Sequence, residues 1–237
     1  MTAGESRHLR HERFIPDFRF SPGPVDSVIV TEKPVSPLWR ADAPLILASK
    51  SAGRRQVLQQ AGVPYEAIPA DVDERAIESA LGPVGADAVA SSLAHAKALA
   101  ISRAAPDRLV LGADQVASCE NRLFGKPADM KAAHDLLRFL AGRRHRLHSA
   151  VALIRGGVTI FETVAHADLI MRDLSDDFIA AYLTTVGETA LTSAGAYQVE
   201  GMGAHLFTQI IGDHWTIMGL PILPVLDAMR RDGALAS

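Results

Sequence analysis

The sequence predicts an α/β domain, on three observations. From Pro44 onward, apolar runs short enough to be strands alternate with segments whose apolar residues recur at helical spacing. The stretch "HSAVALIRGGVTIFETVAHADLIM" divides at Gly156-Gly157, a pair suited to joining two antiparallel strands. With 237 residues and 48% hydrophobic content, the chain can fill a sizeable core and still cover its surface with charges of both signs.

Taken in order, Leu45 to Ala48 reads as a buried strand. The next helix has Ser51 as N-cap, Val57, Leu58 and Ala61 on one face, Gly62 as its stop and Pro64 just beyond. Asp71, Asp73 and Glu74 fall close together in a strand end or loop. Residues 87–104 suit a long Ala-rich helix with Asp87 near its positive end. Residues 108–113, "RLVLGA", form a second buried strand, and residues 128–141 another helix between Pro127 and Gly142. After the hairpin, Ser175, Asp176 and Asp177 open a helix that ends at Gly187. A glycine-rich stretch (Gly195, Gly201, Gly203) leads to a last helix in "GLPILPVLDAMRR", with Pro221 and Pro224 in its first turns. Residues 1–43, carrying Pro16, Pro22, Pro24, Pro34 and Pro37 and little apolar periodicity, read as a disordered extension, leaving 44–237 as the domain. A mitochondrial transit peptide would carry fewer acids than Glu5, Glu12, Asp17, Asp26 and Glu32.

Composition excludes several classes. A formal charge of −3 offers no overall basic field for nucleic acid. No apolar run approaches the roughly 18 to 20 residues that cross a bilayer, and the N-terminus has no secretory apolar core. The single Cys119 can form neither an internal disulfide nor a thiolate metal cage, which fits a reducing cytoplasm. H-E-x-x-H, G-x-S-x-G and dinucleotide fingerprints are missing from the sequence. His145 and His148 fall where a strand begins and read as solvated or core imidazoles.

What remains is an anion site built from local cations. "ASKSAGRR" hands a strand to a helix N-terminus, where free N–H groups favour anions and where Arg54 and Arg55 add guanidinium forks suited to phosphate. Because cations are unfavourable at that end of a helix, the pair is either solvated or matched to a bound anion. "VLGADQV" places Asp114 at the carboxyl end of a strand, the edge where α/β sheets bind ligands. "LFGKPAD" puts Lys126 beside a helix start, but Pro127 replaces the hydroxyl residue that a P-loop needs. The acids around Asp71, Asp73 and Glu74 suit a hard cation, and Lys97 interrupts a helix of small residues.

"LILASKSAGRRQVL", "PADVDE", "AHAKA", "LGADQV", "FGKP" and "AGAYQVEGMGAHL…IIGDHWTIMGLPI" together resemble, in order and spacing, the Maf family of nucleotide pyrophosphatases. The resemblance spans residues 44–231. It implies an elongated Maf/ITPase-like fold, with a central twisted mixed sheet, helices and two lobes around a cleft. It also implies hydrolysis of a nucleoside triphosphate to monophosphate and pyrophosphate, a divalent cation (Mg2+ or Mn2+), a cytoplasmic homodimer, and no nucleic-acid or membrane partner. By position, Ser49, Ser51 and Arg54 match phosphate-binding residues, with Arg55 as a possible substitute for the arginine that Gly53 replaces. Glu74, Lys97, Asp114 and Lys126 match the remaining catalytic positions, with Glu74 and Asp114 toward the metal and Asp114 as the proposed base. Gln115 and Glu200 resemble the branch acting on 7-methyl-GTP rather than on dTTP and UTP, and a carboxylate at 200 would favour a cationic methylated base. A dTTP/UTP or broad-range nucleotide pyrophosphatase is the alternative, and a nucleotide-binding regulator of cell division with little turnover is the alternative of another class.

Overall fold

The computed structural model describes residues 29–30, 36–120 and 122–237. The strands are β1 (Ile29–Val30), β2 (Leu45–Leu47), β3 (Tyr65–Ala67), β4 (Val110–Cys119), β5 (Arg122–Phe124), β6 (Arg144–Arg155), β7 (Val158–Met171) and β8 (Phe207–Ile211). The α-helices are α1 (Ala52–Gln60), α2 (Glu74–Leu81), α3 (Ala86–Ala104), α4 (Met130–Leu140), α5 (Asp176–Val186), α6 (His214–Ile217) and α7 (Ile222–Arg231). One mixed sheet runs β1-β3-β2-β4-β6-β7-β8, with β5 also paired to β4. Its β2–β3 and β2–β4 ladders are parallel and the others antiparallel. The mixed α/β architecture is the one expected for a Maf-like fold.

Most of the expected 1–43 extension lies outside the described residues. Within them, Ile29–Val30 pair with β3. Residues 36–43 pack onto the domain: Trp39 bridges to Leu235, and the Arg40 amide donates to the Ala234 carbonyl.

Several elements follow local chemistry closely. Ser51 Oγ accepts from the Arg54 amide to cap α1, and Gly62 at φ +66° takes the left-handed turn after it. Gly156 and Gly157, at φ +56° and +76°, turn the β6–β7 hairpin. Three readings needed correction. Glu74 lies in no loop: it opens α2, capped by Asp73 Oδ1 accepting from the Ala76 amide. Helix α4 starts at Met130 with Asp129 as its cap, so Lys126 lies in the preceding loop. The strand expected at 108–113 continues to Cys119, so Asp114 sits in mid-strand.

That last difference defines the molecule. Strand β4 pairs with β6 from Val110 to Ser118 on one side. On its other side it pairs with β2 only at Val110 and Leu111, and with β5 only from Ala117. Among the described residues, Gly112 to Val116 therefore have one open edge, and Asp114 lies on it.

The two sheet faces are covered differently. Leu45, Leu47, Leu111, Val151 and Leu153 pack with Val57 and Leu58 of α1 and Val225 and Met229 of α7. Further along the long strands, Leu147 and Leu169 pack with Leu137 and Leu140 of α4 and Ile179 and Leu183 of α5. Each fully buried Leu or Ile contributes roughly 1.5–3 kcal/mol. The opposite face is covered by α3, whose Ala90, Ala94 and Ala98 are fully buried. This small-residue stripe meets Gly112: a Cβ there would lie 2.7 Å from the Ala98 amide nitrogen and still closer to the Ala94 carbonyl oxygen. Hydrogen at position 112 is what lets α3 rest on the β4 backbone.

Substituting Gly112→Ala should force α3 away from β4 and destabilise the fold by about 1–3 kcal/mol, the range for overpacked cores. Chemical denaturation of wild type and variant checks this, with an unchanged midpoint contradicting the contact.

Candidate active site

The open edge of β4 looks into a cleft of about 1130 Å³. Ser49, Ser51 and Arg54 come to it from the β2–α1 corner, Glu74 from α2, Lys97 from α3, Asp114 and Gln115 from β4, Lys126 from the β5–α4 loop and Glu200 from the loop before Met202. The volume is ample for a nucleotide-sized ligand.

Lys97 occupies the centre of the charge pattern. Its Nζ lies 2.6 Å from Asp114 Oδ1 and 2.7 Å from Glu74 Oε1. Lys97 and Asp114 are buried, whereas Glu74 is half exposed at the cleft mouth. Glu74 belongs in the first turn of α2, where a carboxylate complements the positive end of the helix. Asp114 Oδ2 and Glu74 Oε2 have no hydrogen bond to the described residues. The two carboxylates therefore converge on one cationic point while each keeps a free oxygen. An all-oxygen donor pair of this kind fits a hard divalent cation.

Arg54 is tied to the fold. Its Nε donates to the Gly219 carbonyl at 2.9 Å, and its Nη1 donates to Ser49 Oγ at 2.9 Å and to the Ala113 carbonyl at 2.8 Å. The guanidinium thus satisfies a carbonyl that the open β4 edge leaves without a strand partner. Burial lowers the Arg54 pKa, and the nearby Asp114 and Glu74 charges oppose that shift. Among the described residues, Nη2 alone has no acceptor. The cation at the start of α1 is explained first by these carbonyls.

Ser49 Oγ also accepts from the Ser51 amide, so both serines shape the corner. Gln115 Nε2 donates to Ser149 Oγ and to the Thr216 and Ile217 carbonyls, locking the α6 segment against β4. Its amide nitrogen is occupied by the protein. Arg55 does not line the cleft; its charge lies near Tyr65, on the other side of α1. Asp71 lines the cleft, but Asp73 is a helix cap. Lys126 and Glu200 are exposed in the cleft and make no bond to the described residues.

The structure adds Lys50, exposed in the same cleft one residue after Ser49. Its signal lies within "ASKSAGRR", where a lysine between two serines precedes the two arginines. Ser149 and Thr216 were also missed, since their part depends on contacts distant in sequence. His145 is a core imidazole bonded to the Tyr197 hydroxyl at 2.6 Å, and burial pushes its pKa down to about 4. Cys119 is a buried free thiol whose pKa burial raises.

The family model described as "Maf-like protein" matches residues 44–232. A nucleoside triphosphate pyrophosphatase of Rhodopseudomonas palustris (strain ATCC BAA-98 / CGA009) is 53% identical over 199 residues, covering 84% of this chain and 98% of the relative. A nucleoside triphosphate pyrophosphatase of Nitrobacter hamburgensis is 47% identical over the same shares. A 7-methyl-GTP pyrophosphatase of Rhizobium etli is 50% identical over 193 residues, covering 81% of this chain and 97% of that protein.

Arg54→Lys keeps the charge but cannot keep all three fork contacts. It should lower unfolding stability by about 1–3 kcal/mol through unsatisfied carbonyls, besides any effect on substrate affinity. An unchanged melting temperature would mean that the guanidinium serves the ligand alone.

Proposed function

Because the chain belongs to the Maf-like protein family, we propose that its cleft hydrolyses a nucleoside triphosphate to the monophosphate and pyrophosphate, with the roles below. The observation that carries the reading is the Glu74–Lys97–Asp114 centre opening into a nucleotide-sized cleft that also holds Lys50, Arg54 and Lys126. A protein that only binds phosphate needs the cations; a carboxylate pair beside them suits hydrolysis.

In this reading the triphosphate lies along Lys50, Lys126 and the free Nη2 of Arg54, with the α-phosphate facing Asp114. A water oxygen forms a bond to the α-phosphorus as the bridging bond to the β-phosphate breaks, and the electron pair departs with pyrophosphate. Asp114 Oδ2 accepts the water proton. Lys97, held at Asp114 Oδ1, and Lys126 stabilise the charge that grows on the phosphate oxygens. Glu74, with Asp114 before it takes the proton, would hold Mg2+ or Mn2+, which when bound offsets phosphate charge and makes water more acidic.

The substrate class proposed is a 7-methylated guanine nucleotide. Glu200 is an exposed carboxylate in the same cleft, and N7 methylation gives the base the positive charge that a carboxylate recognises. Gln115, whose nitrogen is bound to Ser149 and the α6 segment, shapes the cleft on the base side of this reading. No described helix is long and apolar enough to cross a membrane, and a cytoplasmic homodimer completes the proposal.

Asp114→Asn should lower kcat for pyrophosphate release by about 10²–10⁴-fold while the Michaelis constant changes little, as expected for loss of a general base. Equal turnover by the variant would remove Asp114 from the reaction. Glu200→Gln should cut the preference for 7-methyl-GTP over GTP by roughly tenfold, the effect of one charge-assisted contact. A preference that is unchanged, or wild-type turnover confined to UTP and dTTP, would overturn the base assignment and leave the phosphate chemistry intact.

A further inference from the structure

A second group of metal-binding side chains lies outside the cleft. His148 on β6 and His166 on β7 are directly paired across the hairpin, their rings edge to face with centroids 5.2 Å apart. Asp87, in the first turn of α3, reaches over both. Its Oδ1 lies 2.6 Å from His148 Nδ1 and 2.8 Å from His166 Nε2. The three ligand atoms are all within 4.8 Å of one another. None of the three residues lines the cleft.

We infer that Asp87, His148 and His166 form a site for a borderline divalent transition metal, Zn2+ by donor chemistry, separate from the Glu74–Asp114 pair. Two imidazole nitrogens and a carboxylate suit this class of ion, whereas the all-oxygen pair in the cleft suits a hard one. A tetrahedral ion with bonds of about 2.0–2.1 Å needs ligand atoms roughly 3.3 Å apart, so on binding both imidazole nitrogens would turn from Asp87 Oδ1 to the shared ion.

The surroundings support a ligand set as well as a hydrogen-bonded cluster. His148 is buried, and its far nitrogen, Nε2, lies 2.8 Å from Ser118 Oγ. A hydroxyl donates or accepts, so Ser118 holds the ring in either tautomer. When Nδ1 binds a metal, Nε2–H donates to Ser118, the outer contact that a ligating histidine requires. Asp87 and His166 are exposed, which leaves a path for the ion and room for water as fourth ligand. Arg146, whose charge reaches Asp87, is held by Asp168 through Nε at 2.8 Å and Nη2 at 3.0 Å, so its charge is largely matched.

The site would tie the start of α3 to the β6–β7 hairpin. That end of α3 packs through Val89, Ala90 and Leu93 against Val116, Ala150 and Val164. Val89, Leu93 and Val116 are also cleft walls. Zn2+ there would brace the wall from behind without touching substrate.

The test titrates the full-length protein with ZnCl2 by calorimetry at neutral pH, and with Co2+ by visible absorption. Wild type and Asp114→Asn should both bind an equivalent that His166→Ala and Asp87→Asn lack, and Ser118→Ala should weaken it by about 10–100-fold. All other histidines, His8 and His11 among them, are unchanged in these variants, so a difference reports this cluster alone. Circular dichroism establishes that each variant is folded; because Asp87 and His166 are exposed, either serves if the other fails. Equal stoichiometry and affinity in wild type and the folded His166 or Asp87 variant would overturn the site, as would loss of the equivalent in Asp114→Asn.

Discussion

The contact between Lys97 and Asp114 depends on how closely one helix approaches one strand. Gly112 has no side chain, and α3 presents alanine to it, so the helix lies against the β4 backbone. Lys97 follows on the same helix and Asp114 on the same face of the strand, two residues on. The ammonium is thereby delivered between Asp114 and Glu74 without a loop to position it. A larger residue at 112 would move the helix and with it the centre of charge.

The second constraint is an interrupted sheet edge. Because β2 ends at Leu47 and β5 pairs only from Ala117, β4 crosses a gap with backbone groups exposed on one side. Arg54 fills part of that gap by donating to the Ala113 and Gly219 carbonyls, and Gln115 ties down the segment that closes it. The cost of placing a cation at a helix N-terminus is offset by three hydrogen bonds in a buried setting. Lys50 and Lys126 differ, being exposed in the cleft without partners among the described residues. Bonded and unbonded cations thus share one cleft, and only their acceptors tell them apart.

Much of this was legible in the residues. Caps at Ser51 and Ser175, the Gly156-Gly157 turn and the Ala-rich helix follow from local rules that tertiary structure did not override. The segments carrying Ser49 and Lys126 also stood out, because polar residues between an apolar strand and a helix are conspicuous. Other features were hidden for physical reasons. Asp114-Gln115 looks like the end of a strand because polar residues usually end one; here β6 keeps β4 paired well past them. The short helix at Glu74 was obscured by the acids that cap it. The partners of Arg54 lie as far as 165 positions away, beyond any local pattern. Arg55 looked equivalent to Arg54 in the sequence, yet one helical step turns it away from the cleft.

If Lys97 works through the carboxylates it touches, a double-mutant cycle on kcat/KM with Lys97→Met and Asp114→Asn measures that dependence directly. If the two groups form one unit, each single variant loses most of the activity and the double variant is little worse than the weaker single, a coupling of about 2 kcal/mol or more. Losses that simply add would mean that Lys97 and Asp114 act independently, and would contradict a shared catalytic centre.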